Sequence, residues 1–418
     1  MGLFFVYFTQ FHLDFRLQEL DALAKLEGID LKYADGAYSN DSPFMVVELP
    51  SNDDATKLIS RAILVNQIYE LWGEAPTLEE LNTIVKQNPE YKDLYKTSSF
   101  KFIVGGYGVT LSAADQLKRI EQFSYLGWEG KIDLKKPDNT FGYFEDYGNH
   151  AEKGLPAPEK PHRVYLGRQI ASGNRRIVNK YDLKKREYLG ITSMDAELSL
   201  IMANQALVRP GSFVLDPFVG TGSFLITCAH FGAFTMGSDI DGRQIRGKDG
   251  KGIVSNGIQY NLTGRIVDNI VSDLGKPPYG VRAGAKKIGT NDKLKPYLNT
   301  IKPNGDPRYP QTIPYEMHDV LLDLIDFAAI YLVPGGRLVY WFPTVTEEYS
   351  PDDVPLHPYF KMIANSEQNF GKWARRLITM EKLSKEELER VTGKGGAEAG
   401  VAEPAHARFR SKYFEKHP

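Results

Sequence analysis

A single cysteine, Cys228, excludes any internal disulfide. It lies in an apolar stretch and reads as a buried, inert thiol. Net charge is also nearly absent: 51 Lys and Arg face 53 Asp and Glu, a formal charge of -2. A uniformly basic surface is thereby excluded, and any nucleic-acid binding must rest on a local face. No run reaches the roughly 18 apolar residues of a membrane span. The apolar start, Leu3 to Phe8, has no basic flank before it and soon meets Asp14 and Arg16. It therefore reads as a first strand rather than a signal peptide. Val6 stands where an N-myristoylation motif requires Ser or Thr. Cytoplasm is the default compartment. There is no Gly-Lys-Ser/Thr phosphate loop, and no metal site is expected.

What is present fits a soluble enzyme of two or three domains: 418 residues, 42% apolar and 25% charged. Its most informative stretch is Asp216-Pro217-Phe218-Val219-Gly220-Thr221-Gly222-Ser223. The apolar run 212–215 before it reads as a buried strand, and the run 224–229 after it as a helix. A strand, a glycine turn and a helix N-terminus make a nucleotide-binding corner. Leu225 replaces the third glycine of the dinucleotide fingerprint, which makes a dehydrogenase the weakest option. Asp216 inside the turn would repel a pyrophosphate but suits a ligand bearing an ammonium and hydroxyls. The ligand with that chemistry is S-adenosyl-L-methionine. The next strand, 234–239, ends in Asp239, placed to bond ribose hydroxyls; Asp241 is the fallback, with a helix cap as its plain reading.

Strands at 3–8, 44–49, 100–104 and 141–144 alternate with helices at 15–26 and 51–64, indicating a small α+β domain over 1–150. Gly148 to Pro161, with Pro156, Pro158 and Pro161, reads as a linker. A basic stretch follows within a linker region 151–190: Arg163, Arg168, Arg175, Arg176, Lys180, Lys184, Lys185 and Arg186, interleaved with Tyr165, Tyr181 and Tyr188. Such a run is either a solvated surface or a phosphate-tracking face with aromatics beside it. From 191 to 383 the chain reads as a doubly wound α/β domain closed by a C-terminal hairpin at 360–364 and 375–380. The tail 384–418, poor in apolar residues from Thr392, is expected to be mobile.

Pro277-Pro278-Tyr279 is the second chemical signal. Enzymes that methylate an exocyclic amine of a base commonly carry Asp/Asn/Ser-Pro-Pro-aromatic after the fourth strand. The prolines aim a carbonyl at the amine, the first residue accepts a second hydrogen bond, and the ring stacks on the flipped base.

Taken together, the segments 216–223, Gly237-Ser238-Asp239-Ile240-Asp241, Pro277 to Arg282, Tyr165 to Arg168, Gly173 to Arg175 and Thr192-Ser193-Met194 resemble the catalytic subunit of eukaryotic, fungal-like tRNA guanosine-10 N2-methyltransferases. The resemblance runs to about Leu383. It implies a THUMP-type, ferredoxin-like RNA-binding region, a Rossmann-like class I methyltransferase domain and a small zinc-binding activator subunit as heterodimer partner. It assigns catalysis to Pro277, Pro278 and Tyr279. The cofactor would be held by Thr192, Ser193, Met194, Asp216, Phe218, Gly220, Gly222, Asp239, Ile240 and Asp273. RNA would be held by Arg163, Arg168, Arg175, Arg176, Lys180, Lys184 and Lys185. Two further readings stand beside it: methylation of another amine such as adenine N6, and a non-catalytic RNA-binding protein that retains a cofactor pocket.

One departure matters. The family carries Asp before Pro-Pro-Tyr, and this chain has Lys276, whose ammonium can only donate. Only Leu274, Gly275 and Lys276 separate Asp273 from Pro277, where a doubly wound domain needs a helix and its fourth strand, about 20 residues or more. That strand lies beside the first, so its loss predicts two exposed strand edges. A defective gene model or splice form, a segment lost from the sequence, or degeneration of the enzyme would explain it; intact motifs on both sides favour the first two.

Overall fold

The computed structural model describes residues 1–150, 153–274, 286–288, 312–314 and 316–392. They fall into two compact units, Met1–Ile177 and Val178 onward. No helix among the described residues is long and apolar enough to cross a membrane.

The first unit comprises β1 (Gly2–Phe8), α1 (Arg16–Glu27), β2 (Phe44–Leu49), α2 (Asn52–Ile59), β3 (Val65–Ala75), α3 (Leu78–Lys86), α4 (Glu90–Leu94), β4 (Phe100–Tyr107), α5 (Ala113–Glu121), β5 (Asn139–Asp146) and β6 (Arg163–Ser172). Its six strands form one sheet in the order β2-β1-β3-β6-β5-β4. Strand alternation divides β1 between two faces: Phe4, Val6 and Phe8 enter the core with α1 and α2, while Phe5 and Tyr7 join an aromatic cluster with Phe44, Tyr69, Phe144 and Tyr165. Ser51 caps α2 by accepting the Asp54 amide at 3.1 Å. The helix stops at Ile59 instead of continuing to Leu64, because the buried Glu19 carboxylate takes the amides of Ile63 and Leu64 out of any helical ladder.

Two strands in the middle of this sheet, β3 and β6, escape the sequence pattern. Their mutual register is broken at two places, so strict alternation is lost. The basic stretch expected as linker thus begins as a core strand, and the unit ends at Ile177 rather than residue 150. Pro156, Pro158 and Pro161 punctuate a connection between β5 and β6 of one sheet. Arg168 lies opposite Glu70 on β3 and pairs with it at 2.9 Å, and Arg163 pairs with Glu74 at 3.1 Å.

Helix α6 (Arg176–Tyr181) leads into the second unit: α7 (Ala196–Gln205), β7 (Phe213–Asp216), α8 (Ser223–His230), β8 (Phe234–Asp239), α9 (Gly242–Arg246), α10 (Ile253–Gln259), β9 (Ile266–Val271), the short antiparallel pair β10 (Lys286–Ile288) and β11 (Thr312–Pro314), α11 (Met317–Tyr331), β12 (Arg337–Val345), β13 (Phe360–Asn369), β14 (Trp373–Lys382) and α12 (Lys385–Thr392). The start of the expected tail is therefore helical; the rest lies outside the described residues. The first half forms a parallel sheet β7-β8-β9 and the second an antiparallel sheet β12-β14-β13. Among the described residues β7 pairs with β8 alone and β12 with β14 alone. Among the described residues the two sheets share no paired strand, and the interval before Pro277 where a fourth strand was expected to be lacking adjoins residues outside those described. Two devices still tie the halves together. Gln205 at the end of α7 receives Arg337 Nη1 on its carbonyl at 2.8 Å and Thr379 Oγ1 on its side-chain oxygen at 2.7 Å. Phe218 of the glycine turn packs into the cluster of Leu274, Leu321, Tyr340, Phe342 and Ile378.

Candidate functional site

The glycine corner sits at the carboxyl end of β7 and is tied down amide by amide. Phe218 N donates to Asp216 Oδ1 at 2.9 Å, Val219 N to the Ser238 carbonyl at 2.9 Å, and Gly220 N to Asp239 Oδ2 at 2.9 Å. Gly222 caps α8 with φ +82, a conformation side chains rarely adopt, and a Cβ there would lie 3.0 Å from Ile253. Gly220 also has positive φ, but its missing Cβ looks into space, with Thr192 Oγ1 the nearest side-chain atom at 3.8 Å. Backbone is therefore open to a ligand at Gly220 and closed off by packing at Gly222.

Two carboxylates flank this opening. Asp216 Oδ2 is out of solvent and has no hydrogen-bond partner. Burial, with a smaller push from Asp239, moves its pKa up to about 7 against the opposing Phe218 amide. Asp239 ends β8 and also receives the Asp241 amide at 2.8 Å. Burial raises its pKa too, opposed by the amides of Asp241 and Gly220. A half-buried acid with one orphaned oxygen out of solvent, near open backbone, suits a ligand that brings a positive charge. Asp241 takes its plain role: it caps α9 through the Arg243 amide at 3.0 Å and pairs with the Arg243 side chain at 2.7 Å.

The segment before α7 closes over the corner. Ser193 Oγ meets Thr221 Oγ1 at 2.7 Å, and the Met194 amide donates to Ser223 Oγ at 3.1 Å. Thr192, Ser193 and Met194 thus lie against the glycine corner from 20 residues or more upstream of it. Asp273 follows β9, whose neighbour Ser272 donates its amide to the Asp239 carbonyl at 3.0 Å, so both acids share one end of the sheet. Ile240 lies between Asp239 and Asp241 on the same rim. Pro277, Pro278, Tyr279 and Lys276 lie outside the described residues.

One member of the site is absent from the expectations. Arg186, counted with a charge run, is 5% exposed and donates through Nη1 to Ser223 Oγ at 2.9 Å. Burial lowers its pKa. The flanking Tyr181, itself buried, was the available signal that this end of the run turns inward. The rest of the run divides. Arg163, Arg176, Lys180, Lys184 and Lys185 are exposed. Arg168 is held by Glu70, and Arg175 bonds the Ile63 carbonyl at 3.3 Å and lies over Phe11. Tyr165 and Tyr181 are buried core residues, and the Lys180 ammonium lies over the Tyr181 ring, 5.1 Å from its centroid.

A family model described as "Tmrp11 THUMP N-terminal domain" matches residues 3–175, and one described as "RMKL-like, methyltransferase domain" matches residues 184–247. The chain is 36% identical to the tRNA (guanine(10)-N(2))-methyltransferase of Schizosaccharomyces pombe over 471 aligned residues, covering 99% of this chain and 96% of that one. It is 37% identical to the Saccharomyces cerevisiae enzyme of the same name over 442 residues, covering 99% of both. Against human tRNA (guanine(10)-N(2))-methyltransferase TRMT11 the identity is 37% over 438 residues, covering 97% of this chain and 94% of that one. Each alignment is longer than the 418 residues of this chain, so each includes positions where this chain has no residue. The solved structure of TrmN from Thermus thermophilus aligns at 16% identity and a TM-score of 0.42, over 91% of this chain and 100% of that one. With a THUMP unit followed by a methyltransferase unit, and identity of this order along nearly its whole length, the chain belongs to the tRNA (guanine(10)-N(2))-methyltransferase family.

Proposed function

We propose that this chain is built to place a methyl group on the exocyclic N2 of guanosine 10 in tRNA, with S-adenosyl-L-methionine as the donor, and that in its present form it is almost inactive. The observation that carries the reading is the preserved corner, with Asp216 Oδ2 orphaned and Gly220 open; the three-residue interval between Asp273 and Pro277 supports the loss of activity. Asp216 would face the ammonium of the cofactor, Asp239 its ribose hydroxyls, and Asp273 the side of its adenine. Phe218, Ile240 and the segment Thr192–Met194 would wall the pocket. Bound there, the cofactor supplies an electrophilic methyl group. Pro277, Pro278 and Tyr279 would fix and stack the target guanine, while the acceptor that the family places before them is replaced by Lys276. Of the exposed cations, Arg176, Lys180, Lys184 and Lys185 would face phosphates directly, while Arg163 would first have to leave Glu74.

The zinc-binding activator subunit and a cytoplasmic location belong to the same reading. Val254 and Ile258 on α10, with Val267 and Val271 on the edge strand β9, are exposed apolar side chains that a partner would cover. The deciding experiment is methyl transfer to tRNA by the chain as it stands and by a version with the helix, strand and Asp restored before Pro277. Loss of a preorganised acceptor costs on the order of 100-fold or more in rate, and misplacement of the loop adds to that. Robust N2-guanine methylation by the present chain would overturn the proposal.

A further inference from the structure

We propose that the tip of the β13–β14 hairpin and the adjoining middle of β12 form a stacking surface for unpaired nucleotides of the substrate RNA. The side chains are Trp341, Phe370, Trp373 and Arg375. This inference rests on the tRNA-methylating role and specifies a part of the site that the glycine corner and the Pro-Pro-Tyr loop do not supply.

The four side chains form a ladder. The Arg375 guanidinium lies 4.3 Å from the ring centroid of Trp341 and 5.6 Å from that of Phe370. Phe370 in turn stacks on Trp373, centroids 4.4 Å apart and planes at 17°. Among the described residues, the guanidinium has a hydrogen-bond partner only at Nε, which donates to Gln368 Oε1 at 2.7 Å. The ladder is not a hydrophobic core. The opposite face of the same strands carries Tyr340, Phe342, Ile378 and Met380, packed with Leu321, Leu324 and Ile325 of α11. On the ladder's own face, burial falls along β14 from Thr379 and Leu377, both 0% exposed, to half-buried Arg375 and Trp373. Helix α7 accounts for that gradient. Its last residue, Gln205, bonds Thr379, while its cap, Asp195, acts electrostatically on Arg375. Beyond the helix cap the sheet continues as aromatic rings, ending in Phe370 at 44% exposure.

Position links the surface to the chemistry. Asp195 directly follows Met194, whose amide bonds Ser223 at the head of α8, so the ladder stands at the glycine-corner end of this unit. Rings and a guanidinium already stacked at these spacings leave no room between them but offer their outer faces to a base, and every base has a π-face. Bases in a duplex are already stacked, so the occupant is unpaired or flipped-out RNA. Lys372 at the hairpin tip adds a positive charge, but Glu347 and Glu348 follow the end of β12. Stacking with about one phosphate contact, rather than a broad positive field, therefore carries the attraction.

The test uses the full chain, a tRNA transcript, a fully paired RNA hairpin of similar length, and S-adenosylhomocysteine. Phe370→Ala should weaken tRNA binding by roughly 5- to 100-fold, leave the paired hairpin unaffected, and leave the unfolding midpoint and S-adenosylhomocysteine affinity unchanged; Phe370→Tyr should restore binding. Arg375→Gln should reduce the salt slope of tRNA binding by about 1. Wild-type affinity and slope in both variants would overturn the surface while leaving the methyltransferase reading intact. Equal losses on tRNA and on the paired hairpin would also overturn it. A wild-type chain that binds neither tRNA nor S-adenosylhomocysteine would remove the parent reading, and the surface with it.

Discussion

Asp216 carries two roles that pull against each other. Its pKa rises from 3.8 to about 7 because one oxygen is buried without a partner. A carboxyl that holds its proton more tightly in the fold than in the unfolded chain makes stability fall as pH rises between those values. The slope is at most about 1.4 kcal/mol per pH unit. A ligand ammonium selects the ionised form, so S-adenosylmethionine should bind more tightly as pH rises from about 5.5 to about 7.5, releasing up to one proton. Calorimetry in buffers of different ionisation enthalpy measures that proton; flat affinity and no release would remove Asp216 from the ammonium site. Asp239 is coupled to the same corner through the Gly220 amide. Asp239→Ala should cost roughly 1–3 kcal/mol of cofactor affinity, since bonds to a charged group are lost. Unchanged affinity in the same titration would place the ribose elsewhere.

At the level of elements, the halves of the second unit depend on α7. Arg337 and Glu381, each 4% exposed, pair at 3.0 Å on adjacent strands, and Arg337 also reaches the Gln205 carbonyl. Lys361 approaches Glu381 from a half-exposed position at 3.2 Å. Removing the acid leaves a buried guanidinium without a counter-charge, so Glu381→Leu should cost about 3–5 kcal/mol in urea unfolding. Adding Arg337→Met should recover most of it, because the pair's net worth is far smaller than the cost of breaking it. A single substitution that costs no more than the double would mean that Lys361 and solvent already compensate the charge. The ladder of Trp341, Arg375 and Phe370 belongs to this scale too: it exists because β12 and β14 outrun the helix that covers them.

For the whole molecule, the proposed gap before Pro277 bears on both stability and activity. Parallel strands are ordinarily buried on both faces and paired on both sides, yet Phe213 of β7 is 64% exposed and β7 pairs with β8 alone among the described residues. Restoring the segment before Pro277 should therefore raise the unfolding midpoint as well as the methylation rate. Its signature would be slower hydrogen exchange of β7 and β12 amides than in the present chain. Exchange equally slow in both versions would show that the edges are already covered, and the predicted inactivity would then rest on Lys276 alone.

Several features were legible in the residues because they are written locally. The corner 216–223, Asp239, the Ser51 cap and the 317–331 helix each depend on a few adjacent side chains with one period or one turn geometry. The expectation of a missing strand also rests on the residues alone, since three residues between Asp273 and Pro277 cannot span a crossover. Tertiary structure alone decided the rest. Strands β3 and β6 break their alternation at bulges, so only pairing with neighbours reveals them. Arg168 and Arg186 look like any cation in a basic run; one faces Glu70 across a sheet and the other is buried against Ser223. Whether a charge meets water, an opposite charge or a helix terminus is fixed by residues distant in sequence. Single-chain patterns carry period and turn chemistry, but not the partner that long-range packing brings alongside.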